Sequence, residues 1–257
     1  MKATDINRNL ERNGIPAPPE TGEKLAVYFR LLREWNAKMD LVAEAEDGEL
    51  LDRHLTDSLT VLKTDLLAGA ETVIDVGTGA GFPGMALALA CPERQFTLLD
   101  SQQKRLRFLE AVAEETGADN VRLVHARAEE GARREDLRES FDRALARAVA
   151  PLNVLCEYLL PYVRVGGKML CWKGPSLGDE MEAGRRAAFL LGGRTGEPVP
   201  TPVAGRDWEH RILPVEKREK TPAKYPRRAG LPKASPLGAG PEDSGAGFRK
   251  AEIPGRG

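Results

Sequence analysis

Apolar positions along this chain recur first in a helical rhythm and then in short β-branched runs. Leu25, Tyr28, Leu32, Trp35 and Met39 fall at spacings of three and four, the stripe of an amphipathic helix that begins near Glu23 and turns one face to a core. Residues 47–63 predict a second helix with Leu51, Leu55, Leu59 and Leu62 on one face. It also holds a dense polar set, Arg53-His54-Leu55-Thr56-Asp57-Ser58, so His54 reads either as a buried, satisfied histidine or as a group beside a substrate. Ahead of both, residues 1–22 are polar and then proline-rich (Pro16, Pro18, Pro19), a lead-in with at most a short helix.

Beyond residue 71 strands and helices alternate. Strands are predicted at 72–76, 95–99, 121–124, 141–147, 168–172 and 211–215, with helices after Gly84 and over 104–116, 151–163 and 177–191. Pro151 suits a helix start, where its missing N–H costs nothing. This alternation predicts an α/β fold: a doubly wound, mostly parallel sheet covered on both faces by right-handed crossovers. The expected division is an N-terminal helical extension (1–66) packed on a core domain (67–237), then a tail (238–257). With six glycines, two prolines and few apolar side chains, that tail is expected to be disordered.

The first predicted strand runs into Gly77-Thr78-Gly79-Ala80-Gly81-Phe82-Pro83-Gly84 and then into an alanine- and leucine-rich helix. Strand, glycine loop and helix N-terminus together bring backbone N–H groups up to a nucleotide-like ligand. Glycine supplies φ > 0 and the missing Cβ that lets a ligand lie against the main chain. Asp100, at the end of the second strand, follows Gly81 by nineteen residues, the place of a carboxylate that accepts from ribose hydroxyls. Both a dinucleotide and S-adenosylmethionine carry such a ribose. Asp75, two residues before the first glycine, favours S-adenosylmethionine, because a carboxylate there suits an ammonium and repels a pyrophosphate. Phe82-Pro83 likewise fills the space that a pyrophosphate would take. Asp75 has a plainer alternative role, capping its own loop.

Composition narrows the picture only a little. A net charge of −1 points to no partner, yet residues 211–237 hold eight basic and two acidic residues, a local +6 that predicts contact with a polyanion. Cys91, Cys156 and Cys171 are odd in number and set in apolar runs, so they read as reduced core residues of a cytoplasmic protein rather than a disulfide frame. The three histidines form no ligand cluster with them, so no metal is expected. No apolar run approaches the roughly 18 residues of a membrane span, and the polar N-terminus is not signal-like.

Several blocks recur in order: Asn36-x-x-Met39, Arg53-His54-Leu55-x-Asp57-Ser58-Leu59, residues 75–84, Leu98-Leu99-Asp100-Ser101, Lys104-Arg105-x-x-Phe108-Leu109, Arg127-Ala128-Glu129, Arg147-Ala148-Val149-Ala150, and Lys217-x-x-Lys220-Thr221-Pro222-x-Lys224-Tyr225-Pro226-Arg227. From about Lys24 to Leu237 the chain resembles the bacterial small-subunit ribosomal RNA methyltransferase G family, also called glucose-inhibited division protein B. The resemblance implies a Rossmann-like class I methyltransferase that uses S-adenosylmethionine to methylate N7 of the guanine at position 527 of 16S rRNA. Carried onto matching positions, cofactor contacts would come from Gly77 and Phe82 of the loop, Ala128, Glu129 and Arg147, with Asp100 on the ribose hydroxyls; the loop motif itself adds Asp75, Gly79 and Gly81 as candidates.

Guanine N7 has an in-plane lone pair and no proton, so no catalytic acid or base is expected. Arg147, Lys173, Arg53, His54 and Arg127 are the candidates for positioning RNA, since loops after the carboxyl ends of strands face the ligand. Residues 217–233 would clamp phosphates. The expected partner is 16S rRNA or an assembling small ribosomal subunit, met by a cytoplasmic monomer. Two rival readings stay open: an NAD(P)-binding oxidoreductase, which the literal G-x-G-x-x-G allows, and a non-catalytic RNA- or ribosome-binding protein.

Overall fold

The computed structural model describes residues 1–43, 46–147 and 150–239. The expectation of a disordered tail falls, from residue 240 on, outside the described residues.

Strand β1 (Thr72–Val76) is β-branched at four of its five positions and almost wholly buried. It pairs in parallel with β2 (Gln95–Asp100) on one side and β4 (Phe141–Arg147) on the other. β3 (Val121–His125) adds beyond β2, and β5 (Val163–Lys173) adds beyond β4, both parallel. Three strands complete the far edge antiparallel: β6 (Gly193–Thr195), β7 (Val199–Pro200) and β8 (Arg211–Lys217). The order β3-β2-β1-β4-β5-β8-β6 reverses direction of growth at β1, so a crevice opens between the carboxyl ends of β1 and β4. Apolar side chains form one cluster on each face: Phe96, Leu98 and Leu145 belong to one, Ile74, Leu99 and Ala146 to the other.

The N-terminal region departs from its sequence reading. Residues 3–12 make a ten-residue helix, α1 (Ala3–Arg12), whose Ile6 and Leu10 join the core with Ile15. Its short stripe of two apolar residues hides it in the sequence. α2 (Thr21–Asn36) buries Leu25, Tyr28 and Leu32 as expected but stops before Met39. The Asn36 side chain accepts from the N–H groups of Leu41 and Val42 and so turns the chain away. Residues 47–63 form a broken helix: α3 (Asp47–Leu50), a π-helical turn (Leu51–Thr56), α4 (Asp57–Leu59) and a 3-10 turn (Thr60–Lys63). Partners from distant segments fix that break. Asp52 takes Asn9, Arg12 and Arg206, and Thr56 donates to Asn9.

The helices on the sheet are α5 (Gly84–Ala90), α6 (Gln103–Thr116), α7 (Ala128–Gly131), α8 (Leu152–Leu159) and α9 (Leu177–Leu190). Gly117 ends α6 in the left-handed conformation, φ 64°. After β8 the chain wraps back over the crevice and ends in α10 (Leu231–Ala234). Two expected phosphate-binding cations are tied into the fold by that wrap, Lys217 fully buried and Arg227 half-buried. Lys217, with no exposed side-chain surface, donates to the Leu160 carbonyl and Thr221 and pairs with Glu139. Arg227 forms an ion pair with the buried Glu157. The cysteines are free and buried. Among the described residues no helix is long and apolar enough to cross a membrane, and no cluster of three metal-ligating side chains occurs.

Candidate functional site

The glycine loop leaves β1 at Val76 and takes φ of 75°, 60° and 95° at Gly77, Gly79 and Gly81. The N–H groups of Gly77 and Thr78 both donate to the Leu99 carbonyl, which holds the loop against the end of β2. Gly79 N–H donates to Asp100 Oδ2 at 2.9 Å, and Gln102 N–H donates to Asp100 Oδ1 at 2.8 Å. Arg105 stands 3.4 Å from the same carboxylate.

Asp75 faces the other way. Its Oδ2 accepts from Thr78 Oγ1 at 2.7 Å and from Gly84 N–H at 2.9 Å, and burial pushes its pKa up to about 6. It therefore lies behind the loop, bracing it, and is absent from the cavity wall; the capping role is the one its geometry carries. Gly81 is a packing glycine too. A Cβ there would come within 2.7 Å of Leu109, Met85 and the Tyr28 hydroxyl. That hydroxyl donates to the Ala80 carbonyl, so α2 grips the loop from the core side.

The loop, Asp100, the start of α7 and the wrap before α10 enclose a cavity of about 710 Å³. Gly77, Gly79, Phe82, Asp100, Arg127, Ala128, Glu129 and Arg147 all line it. Glu129 Oε1 accepts from Gly230 N–H at 2.8 Å, which ties the wrap to the wall. Tyr158, Gly230, Lys233 and Ala234 also line the cavity. Sequence reasoning missed Tyr158, which carries no local signal, and treated the other segment as a phosphate clamp alone.

Phe82 is the hinge of the site. Its ring stacks on Tyr28 and on His54, each centroid 5.3 Å away, and the Arg147 guanidinium lies 5.4 Å above it. Arg147 comes from the end of β4 and donates from Nη2 to His54 Nδ1 at 2.9 Å, from Nη1 to the Arg53 carbonyl at 2.7 Å, and to Asp57 Oδ2 at 3.1 Å. A guanidinium only donates, so Nδ1 of His54 bears no proton. Burial, then Arg147 and Arg53, lower the His54 pKa from 6.5 to about 4, so the ring is neutral near pH 7.

A second cavity, about 430 Å³, opens on the far side of the Arg147–His54 pair. Arg53 and Lys173 line this one, and so do Asp57, which the sequence reading named only within the polar set of the second helix, and Trp172, Glu180 and His210, which it did not single out. Asp57 is the tie: Oδ1 meets His210 Nδ1 at 2.8 Å, Oδ2 meets Arg147, and its carbonyl accepts from Trp172 Nε1. Its three partners lie 90, 115 and 153 positions away, so no local pattern could have revealed this tie.

The geometry fits S-adenosylmethionine better than a dinucleotide. The N–H of Gly84, at the start of α5, is taken by the buried Asp75 carboxylate, where a pyrophosphate would need the donor and meet the charge. Asp100 sits at the β2 end with its carboxylate on the wall, suited to ribose hydroxyls, and the volume lies in the range of small-molecule sites.

Known proteins agree with that chemistry. The family profile described as rRNA small subunit methyltransferase G matches residues 21–201. The ribosomal RNA small subunit methyltransferase G of Alkaliphilus metalliredigens is 45% identical over 215 residues, covering 84% of this chain and 90% of that protein. The protein of the same name from Clostridium beijerinckii is 42% identical over 238 residues, covering 92% of this chain and all of its own length. Among solved structures, cofactor-bound Rv0187 from MTB superposes with a TM-score of 0.53 at 17% identity, over 84% of this chain and 97% of its own, a likeness of fold. The glycine loop backed by Asp75, the Asp100 carboxylate and the paired cavities thus belong to a class I S-adenosylmethionine-dependent fold, and the chain is a member of the rRNA small subunit methyltransferase G family.

Proposed function

We propose that this protein transfers the methyl group of S-adenosylmethionine to N7 of a guanine of 16S rRNA, the one at position 527. The observation that carries the residue assignment is the meeting of two cavities at one wall, Arg147 and His54, one side furnished for a nucleoside and the other for a base.

In the larger cavity, Asp100 would hold the ribose hydroxyls, and Gly77, Gly79 and Phe82 would lie against the ligand. Glu129 would accept from the adenine amino group beside the main chain at Ala128. Arg147 and His54, which line both cavities, would flank the junction where the methyl end of the cofactor meets the base. Asp75 and Gly81 act at one remove, setting the shape of the loop. When bound, S-adenosylmethionine supplies an electrophilic methyl on a sulfonium.

The protein has no proton to remove from N7, so its work is alignment of the base with that methyl and exclusion of water. The neutral ring of His54 and the pairing of Arg147 with Asp57 keep net positive charge away from a cationic donor. Arg53 and Lys173 would position the base from the second cavity, and Arg127 from the rim of the first. Exposed cations of the wrap, Lys220, Lys224 and Arg228, would meet phosphates. We place the enzyme in the cytoplasm, acting as a monomer on 16S rRNA or an assembling small subunit.

The test uses purified protein, methyl-labelled S-adenosylmethionine and undermethylated small-subunit RNA or 30S particles. Label at guanine N7 is expected. No transfer to either substrate, with S-adenosylhomocysteine shown to bind, would overturn the reading in favour of an RNA-binding scaffold.

A further inference from the structure

In the second cavity one ion pair is only half used. Lys173, near the end of β5, donates to the Ala150 carbonyl at 3.1 Å and to Glu180 Oε2 at 2.6 Å. An ammonium has three N–H donors, so one is left over. Glu180, in the first turn of α9, accepts from Leu152 N–H and from Lys173, both at Oε2. Its Oε1 has no hydrogen-bond partner among the described residues, although the carboxylate lines the cavity. A spare donor and a spare acceptor therefore stand side by side in a pocket whose other walls include Leu155 and Trp172.

We propose that Lys173 and Glu180 form the guanine-selecting pair of the second cavity, the ammonium donating to O6 and Glu180 Oε1 accepting from N1–H and the 2-amino group. The proposal rests on the guanine-N7 reading above and names the residues that choose the base. Guanine presents an acceptor, O6, next to a donor, N1–H. The ion pair presents the complement. Adenine presents the reverse order, an amino donor at C6 and an acceptor at N1, so it would set donor against ammonium and lone pair against carboxylate. Two like contacts in a pocket partly closed to water reject a ligand more strongly than a missing methyl does. With O6 and N1 so engaged, N7 is the guanine ring nitrogen left on the other side of O6, toward the junction of the two cavities that Arg147 and His54 flank.

Lys173 alone could be read as holding the chain at Ala150, and Glu180 alone as capping the start of α8 through Leu152. Neither role uses the third ammonium N–H or Oε1. The experiment therefore compares RNA carrying guanosine or inosine at the target position, since inosine lacks only the 2-amino group. The wild-type protein is expected to show kcat/KM lower by about 10–100-fold on inosine, the worth of one hydrogen bond to a charged acceptor. Glu180→Gln is expected to lose about 10–100-fold on guanosine RNA while the difference between guanosine and inosine largely disappears, with S-adenosylhomocysteine affinity unchanged. Its thermal midpoint is expected to fall from the broken pair with Lys173, a loss that by itself would leave the guanosine–inosine difference in place. An undiminished guanosine–inosine difference in Glu180→Gln, or equal wild-type turnover of both RNAs, would overturn the assignment of the pair. Absence of label from the wild-type protein on guanosine RNA, with S-adenosylhomocysteine bound, would instead remove the guanine-N7 reading and the occupant of this pocket with it.

Discussion

Asp57 holds together two side chains that lie 90 and 153 positions further along the sequence, Arg147 and His210. Arg147 is 13% exposed and Asp57 4%, so this pair is screened little by water. Removing one partner of such a pair leaves the other charge buried, which costs about 3–5 kcal/mol. Asp57→Asn is therefore expected to lower unfolding free energy by about 3 kcal/mol in denaturant titrations, and to reduce turnover because Arg147 loses its anchor over Phe82. His54 makes a second prediction at this scale. Its folded pKa of about 4 lies below the ordinary 6.5, chiefly through burial, so the unfolded chain takes up a proton that the folded ring refuses. The contribution of His54 to stability is whole above pH 6.5 and is lost as pH falls through the window toward 4. NMR of the ring should show no titration of His54 between pH 5.5 and 9, and His54→Gln should lose less stability than wild type on going from pH 7 to pH 5. A His54 midpoint near 6.5 would contradict the burial argument.

At the scale of elements, the glycine loop is held by two neighbours the motif does not contain. Tyr28 donates to the Ala80 carbonyl from α2, and Asp75 takes Thr78 and Gly84 from β1. Gly81→Ala is the sharpest probe. Its methyl would meet Leu109, Met85 and the Tyr28 oxygen at 2.7 Å on a backbone of φ 95°. We expect a loss of about 2–3 kcal/mol with weaker S-adenosylhomocysteine binding, read by thermal melts and calorimetry. The loop, β1 to β5 and the stripe of α2 were legible in the sequence because each is a local pattern: β-branched runs, glycine clusters, apolar residues three and four apart. The π-helical turn was not. It exists because Asp52, Thr56 and Asp57 are met by Asn9, Arg206, Arg147 and His210, all distant in sequence. β6 and β7, three and two residues long, carry too little pattern to register and form only because β8 offers them an edge. Asp75 shows the limit for sites: the motif placed a carboxylate at the loop, but which face it turns to is decided by Thr78 and Gly84.

For the whole molecule, the basic C-terminal segment divides into cations that build the fold and cations left at the surface, and the two kinds should separate by experiment. Lys217 is inside and Arg227 half-buried, paired with Glu139 and Glu157 respectively. Burial lowers the Lys217 pKa to about 8, against the pull of Glu139. Lys220, Lys224 and Arg228 are exposed on the same wrap, whose Gly230 borders the larger cavity and donates to Glu129. Lys217→Ala should cost about 3 kcal/mol of stability and leave the salt dependence of RNA binding as it was, because no phosphate reaches that ammonium. Lys220→Ala, Lys224→Ala and Arg228→Ala together should leave the melting temperature and S-adenosylhomocysteine affinity unchanged. Their effect belongs on the RNA: each lost phosphate contact lowers the slope of log affinity against log salt by about 0.7 on single strands, so the triple variant should bind with a slope flatter by about 2. Filter binding from 50 to 200 mM salt reads that slope directly. An unchanged slope in the triple variant would move the RNA contact off this wrap, and a flattened slope in Lys217→Ala would mean the buried cation opens to the surface on binding.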